Sequence, residues 1–165
     1  MTAARRKRKH SRWFFAAAAS VATLFAVPLP ARAGLTQQIV VDWHSGLAIG
    51  GYDPVAFFTD GRPVAGSGAF ELRYGGAIWR FSNAGNRAAF AQRPDIYMPQ
   101  YGGYDPVSVA RGVAVPGDPD VWAIVGERLF LFNNGAQREK FLTDSARFIA
   151  TAQRRWPDVA RALDP

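Results

Sequence analysis

Two stretches of the chain alternate apolar and polar residues and break on a two-residue turn. Phe70 to Tyr74 and Ala77 to Phe81 flank Gly75-Gly76, a pair suited to positive φ, and the pattern predicts a β-hairpin. In that register Tyr74 faces Ala77, Leu72 faces Trp79 and Phe70 faces Phe81 on one side. Glu71 faces Arg80, a favourable charge pair, and Arg73 faces Ile78 on the other, so one face is core and one is mostly wet. Val121 to Val125 and Arg128 to Phe132 flank Gly126-Glu127 in the same way, but here both faces are apolar. Val121, Ala123, Phe130 and Phe132 fall on one side, and Trp122, Ile124, Leu129 and Leu131 on the other. A hairpin apolar on both sides is expected to be covered on both, which puts it at the centre of the domain, with a dimer interface as the alternative.

Each hairpin runs into a helical pattern, over about 83–92 and about 134–142. Asp144 opens a longer amphipathic helix with Phe148, Ile149, Ala152 and Trp156 at helical spacing, and Pro157 is expected to start a last short turn. The recurrence is a duplication. Gly50-Gly51-Tyr52-Asp53-Pro54-Val55 returns unchanged as Gly102-Gly103-Tyr104-Asp105-Pro106-Val107, 52 residues on, and Phe81 to Phe90 aligns with Phe132 to Phe141 at an offset of 51. Asp is a good N-cap and Pro fits the first helical position, so short helices are expected from Pro54 and Pro106. The expected fold is α+β: one small domain of two degenerate helix–hairpin–helix units, about 50–101 and 102–163, with antiparallel strands and a C-terminal helix. The units are expected to share one core over residues 49–163, with 34–48 as a lead-in.

The N-terminus changes the reading of charge. Arg5, Arg6, Lys7, Arg8, Lys9 and Arg12 precede 15 uncharged residues from Trp13 to Val27, and Ala31-Arg32-Ala33 is a small-x-small cleavage site. This is the pattern of a signal peptide over residues 1–33, with the mature chain beginning at Gly34 in the periplasm or outside the cell. Pro28 and Pro30 end the apolar run short of a membrane span. Seven of the 20 basic residues and none of the 13 acidic ones lie in residues 1–33, so the mature chain has no formal net charge. The high pI belongs to the targeting segment, and no electrostatic case for nucleic acid survives. The chain has no Cys, which excludes disulfides, thiol redox chemistry and Cys nucleophiles.

The quotable stretches are GGYDPVAFF (50–58), WRFSNAGNRAAF (79–90), PDIYMPQYGGY (94–104) and RRWPDV (154–159). Together they resemble the YHS domain, a small α+β module found in exported bacterial proteins and attached to metal-transport ATPases. The resemblance runs from about Ile49 to Val159. In metal-associated members it implies thiolate binding by Cys after Asp-Pro-Val and after the hairpin's last aromatic. This chain departs at every such position: Ala56 and Ser108 follow the two Asp-Pro-Val runs. Ser82 and Asn86 stand where the first hairpin's Cys pair would be, and Asn133 and Gln137 after the second. The resemblance therefore implies the fold but no metal site, and no cofactor is expected.

The remaining candidates are few. His44 with Asp42 is at most a fragment of a weak metal site, since the mature chain has one His and one Met, Met98. The glycine pairs do not fit a phosphate-loop fingerprint and read as turns. Arg147, Arg154 and Arg161 recur every seven residues, with Asp144 and Asp158 at helical spacings that offset them, as on a solvated face. Tyr52, Asp53, Tyr104 and Asp105 are the candidate ligand groove, with helix capping by Asp and core packing by Tyr as the alternative. If the units face one another, two close carboxylates would push one pKa upward. The expected function is an exported, non-catalytic binding module for an envelope protein partner or a small ligand. The alternatives are a metal-handling accessory protein and, more weakly, an envelope enzyme.

Overall fold

The structure, a computed structural model, describes residues 38–163. The expected signal segment and its cleavage site lie outside the described residues. The fold is a small α+β domain with two antiparallel two-stranded sheets and a C-terminal helix.

The duplication is visible element by element. A 3-10 turn at Ile49–Gly51 leads into α1 (Ala56–Thr59), β1 (Ser67–Tyr74), β2 (Ala77–Phe81) and α2 (Ala84–Gln92). After α3 (Pro94–Tyr97), a second 3-10 turn at Gln100–Gly103 leads into α4 (Pro106–Val109), β3 (Asp118–Val125), β4 (Arg128–Phe132) and α5 (Gly135–Thr143). α6 (Ser145–Ala162) closes the domain. The strands and the helices behind them repeat with an offset of 51 at both ends. The earlier offset of 52 ends inside the loop after each Asp: Asp53 N–H donates to the Val64 carbonyl, and Asp105 N–H to that of Val115. The second unit is one residue shorter there.

The hairpins pair as expected next to their turns, with Tyr74 opposite Ala77 and Leu72 opposite Trp79. Glu71 and Arg80 form an ion pair at 2.9 Å. Further out the register differs from expectation. A bulge between Ser67 and Glu71 brings Ser67, not Phe70, opposite Phe81. The second hairpin carries the same bulge, with Asp118 opposite Phe132. A bulge adds unpaired residues on one strand, which alternation along the sequence does not register.

Two clusters form the interior in place of the one core expected. In the first, Trp79 and Phe81 pack on Phe90 with ring centroids 5.0 and 5.3 Å apart. In the second, the repeat-equivalent Phe130 and Phe132 pack on Phe141 at 5.0 and 5.1 Å. β4 belongs to both: Leu129 and Leu131 enter the first cluster, and Phe130 and Phe132 the second. All four are buried, so β4 is central as its composition predicts, while in β3 only Ala123 is buried.

Three boundaries are corrected. Ile39 and Ala48 are buried in the first cluster, and Val41 bridges Ala48, so the lead-in from residue 39 belongs to the domain. α1 begins at Ala56 and not at Pro54, because Asp53 Oδ1 accepts from Val55 N–H at 2.9 Å and makes a local turn before the helix. Pro157 lies inside α6 without ending it. Proline removes a donor to the carbonyl four residues back; both Pro157 and Gln153 are exposed, where water can take that bond. Val159 and Ala160 remain buried beyond it. Among the described residues no helix is long and apolar enough to cross a membrane.

Candidate functional site

Asp53 and Asp105 occupy equivalent places and are fully buried. Each carboxylate has one oxygen on the start of its helix. Asp53 Oδ1 accepts from Val55 and Ala56 N–H at 2.9 and 3.4 Å, and Asp105 Oδ1 from Ser108 N–H at 2.8 Å. The other oxygen reaches the end of the unit's hairpin, with Ser82 N–H at 2.8 Å from Asp53 Oδ2 and Asn133 N–H at 2.9 Å from Asp105 Oδ2. Each Asp thus ties a helix start to the exit of the strand pair. Among the described residues no buried side-chain polar atom lacks a partner.

In the first unit the network continues through the positions where the resemblance implies Cys. Asp53 Oδ2 also accepts from Ser82 Oγ at 2.8 Å and Asn86 Nδ2 at 2.7 Å, and Asn86 Nδ2 lies 3.3 Å from Ser82 Oγ. Hydroxyl and amide donors fill the carboxylate's lone pairs and leave a closed hydrogen-bond cluster. In the second unit Asn133 Nδ2 donates to the Pro116 carbonyl at 3.2 Å, and the buried Ser108 hydroxyl accepts from Arg111 at 3.3 Å.

This arrangement matches the alternative to a groove, with Asp on helix starts and Tyr in the packing. Tyr52 packs against the first cluster and Tyr104 belongs to the second. Tyr104 is buried 6.1 Å from the Trp156 ring, and burial raises its hydroxyl pKa. Each carboxylate is engaged within its own unit. None of the four residues lines either of the two clefts described below. One oxygen of Asp105 caps α4 and one of Asp53 holds the turn before α1; the fold turns the other oxygen of each onto an amide.

Asp42 and His44 sit on an exposed turn. Asp42 Oδ1 accepts from Ser45 N–H and Ser45 Oγ, both at 2.8 Å, and from His44 N–H at 3.2 Å. The Ser45 hydrogen bonds hold the Asp42 carboxyl below its ordinary value. The His44 ring lies against the exposed Trp43, with centroids 3.3 Å apart and planes tilted by 35°. Among the described residues no three His, Asp or Glu side chains gather as a metal-holding group.

The sequence reading missed a cleft of about 420 Å³ where the lead-in, the first hairpin's turn, the linker between units and α6 meet. Gln38, Tyr74, Met98, Gln100, Tyr101 and Trp156 line it. Its geometry is held from several sides. A Cβ on Gly102 would overlap the Gln38 carbonyl oxygen, so only glycine lets the lead-in lie there. Val40 N–H then donates to Gly102 O at 2.8 Å. Tyr101 adopts φ 54, uncommon for a residue with a side chain; its repeat equivalent Ile49 has φ 44. The shared conformation is inherited from the duplication, but Tyr101 alone turns an aromatic ring to the cleft. Its hydroxyl donates to Ile149 O at 3.3 Å, and burial pushes its pKa up to about 12. The run of Met98, Pro99 and Tyr101 in the linker is the available signal in the sequence.

A broader depression of about 660 Å³ lies beside β3. There Arg138 Nε donates to the Trp122 carbonyl at 2.8 Å and covers part of the strand edge.

No family model, no curated protein and no solved structure matches the chain.

Proposed function

We propose that the chain is an exported, non-catalytic binding module of YHS type, and that it holds a small ligand in the cleft between its two units. One observation carries this reading. The cleft is walled by four separate segments and lined by the partly exposed rings of Tyr74 and Trp156, whereas the buried carboxylates are occupied by internal donors. Pockets of about 300–1,000 Å³ with apolar rings and a few polar groups are the usual form of small-ligand sites. The hydroxyl and amide groups at Ser82 and Asn86 bond to Asp53, which argues against a tight transition-metal site there.

The test is amide-shift mapping by NMR with a fragment library, alongside separate titrations of copper, zinc and nickel. Shifts gathered at Tyr74, Met98, Gln100 and Trp156 are expected for ligands. One metal bound tightly per chain at Asp53, Ser82 and Asn86 would overturn the reading in favour of metal handling. Export predicts a mature protein whose first residue is Gly34, read by N-terminal sequencing.

A further inference from the structure

The lining of the cleft narrows the class of ligand, granted that the cleft is the binding site. We infer that it takes a neutral saccharide on the scale of a disaccharide. Tyr74 is 43% exposed and Trp156 is half-buried, so both offer ring surface to the cleft. Such surface suits the C–H face of a sugar ring. Gln38 and Gln100 also line the cleft, and a glutamine amide can donate and accept toward hydroxyl groups.

Charge argues against an ionic ligand. Among the described residues Asp95 is the only charged side chain in the lining, and Arg93 already pairs with it, with contacts at 3.2 and 3.3 Å. An anion would meet this carboxylate, and a cation would have to displace Arg93. A wholly apolar ligand is disfavoured too, because it would strip water from the two amides and return no hydrogen bonds, at about 1–3 kcal/mol for each group left unpaired. A neutral ligand with apolar faces and a rim of hydroxyls meets both constraints.

The Tyr74 ring is fixed for this role from behind. It packs edge-on against Phe90 at 5.9 Å, and the Tyr74 carbonyl accepts from Trp79 Nε1 at 3.0 Å. Trp156 is held by Tyr101 and Tyr104, with ring centroids 5.7 and 6.1 Å away. Platforms held in advance lose little rotamer freedom on binding.

Saturation-transfer and amide-shift NMR on the purified chain, with maltose, cellobiose and N,N′-diacetylchitobiose as probes, tests the inference. At least one sugar is expected to bind with a dissociation constant of about 0.1–5 mM, as befits an open site. Its shifts should gather at Tyr74, Met98 and Gln100. Tyr74→Ala should weaken binding at least about five-fold in a variant that still melts cooperatively, and Gln100→Ala serves if that variant is unstable. Sugar shifts elsewhere, or wild-type affinity in a folded variant, would overturn it. If none of the sugars binds at about 20 mM while indole-type fragments shift the cleft amides, the saccharide falls and the binding cleft stands. If neither sugars nor fragments shift them, both readings fall.

Discussion

Asp53 Oδ2 reaches 29 positions along the chain to Ser82, accepting its backbone N–H and its hydroxyl, each at 2.8 Å. The contact holds the start of α1 against the exit of the first hairpin, and Asp105 with Asn133 repeats it in the second unit. Asp53→Asn puts a donor where the site supplies only donors. It should cost about 2–3 kcal/mol in urea unfolding, while Ser82→Ala, losing the hydroxyl alone, should cost about 1 kcal/mol. Wild-type stability in Asp53→Asn would mean that the second oxygen holds nothing.

Glycine positions separate by what surrounds them. Gly102→Ala should destabilise the domain by at least about 3 kcal/mol, because its φ of 63 and the overlap with Gln38 act together. Gly135 opens α5 with open space around it and an ordinary φ, so Gly135→Ala should stabilise by about 0.5 kcal/mol. Thermal unfolding of the two variants checks both signs.

The double role of β4 predicts that neither face tolerates truncation. Leu131→Ala and Phe130→Ala each remove a buried side chain, one from each cluster. Each should cost about 3–4 kcal/mol by denaturant titration. Leu142→Ala, at 45% exposure, should cost about 0.5 kcal/mol or less.

Tyr101 predicts an alkaline limb to the stability curve. The folded chain keeps its hydroxyl protonated to about 12, whereas the unfolded chain loses that proton near 10. A pKa raised on folding leaves stability whole below the unfolded value and removes it as pH rises through the folded one. Unfolding free energy should therefore be flat approaching pH 10 and fall between pH 10 and 12. Tyr101→Phe should flatten that fall and cost about 1 kcal/mol at neutral pH, through the lost bond to Ile149.

Much of the local structure was legible because its causes are local. Gly75-Gly76 and Gly126-Glu127 specify turns, and the strands beside them follow. The expected N-caps appear at Asp105 and Asp144. The depth of the central hairpin could be read from Leu129 to Phe132, since a strand apolar on both faces must be covered twice. The bulges after Ser67 and Asp118 were hidden, because bulges depend on how a strand bends over its partner.

From the chain alone came the duplication, the α+β elements, the hairpin turns and the absence of thiol chemistry. These rest on composition, periodicity and turn residues that act over a few positions. Only tertiary structure decided what the equivalent residues do. It turned Asp53 and Asp105 inward onto amides 29 and 28 positions away, and it divided β4 between two clusters. It also brought Gln38, Tyr74, Gln100 and Trp156 to one cleft. Long-range packing and the pairing of buried polar groups settle such matters, and neither leaves a period in the sequence.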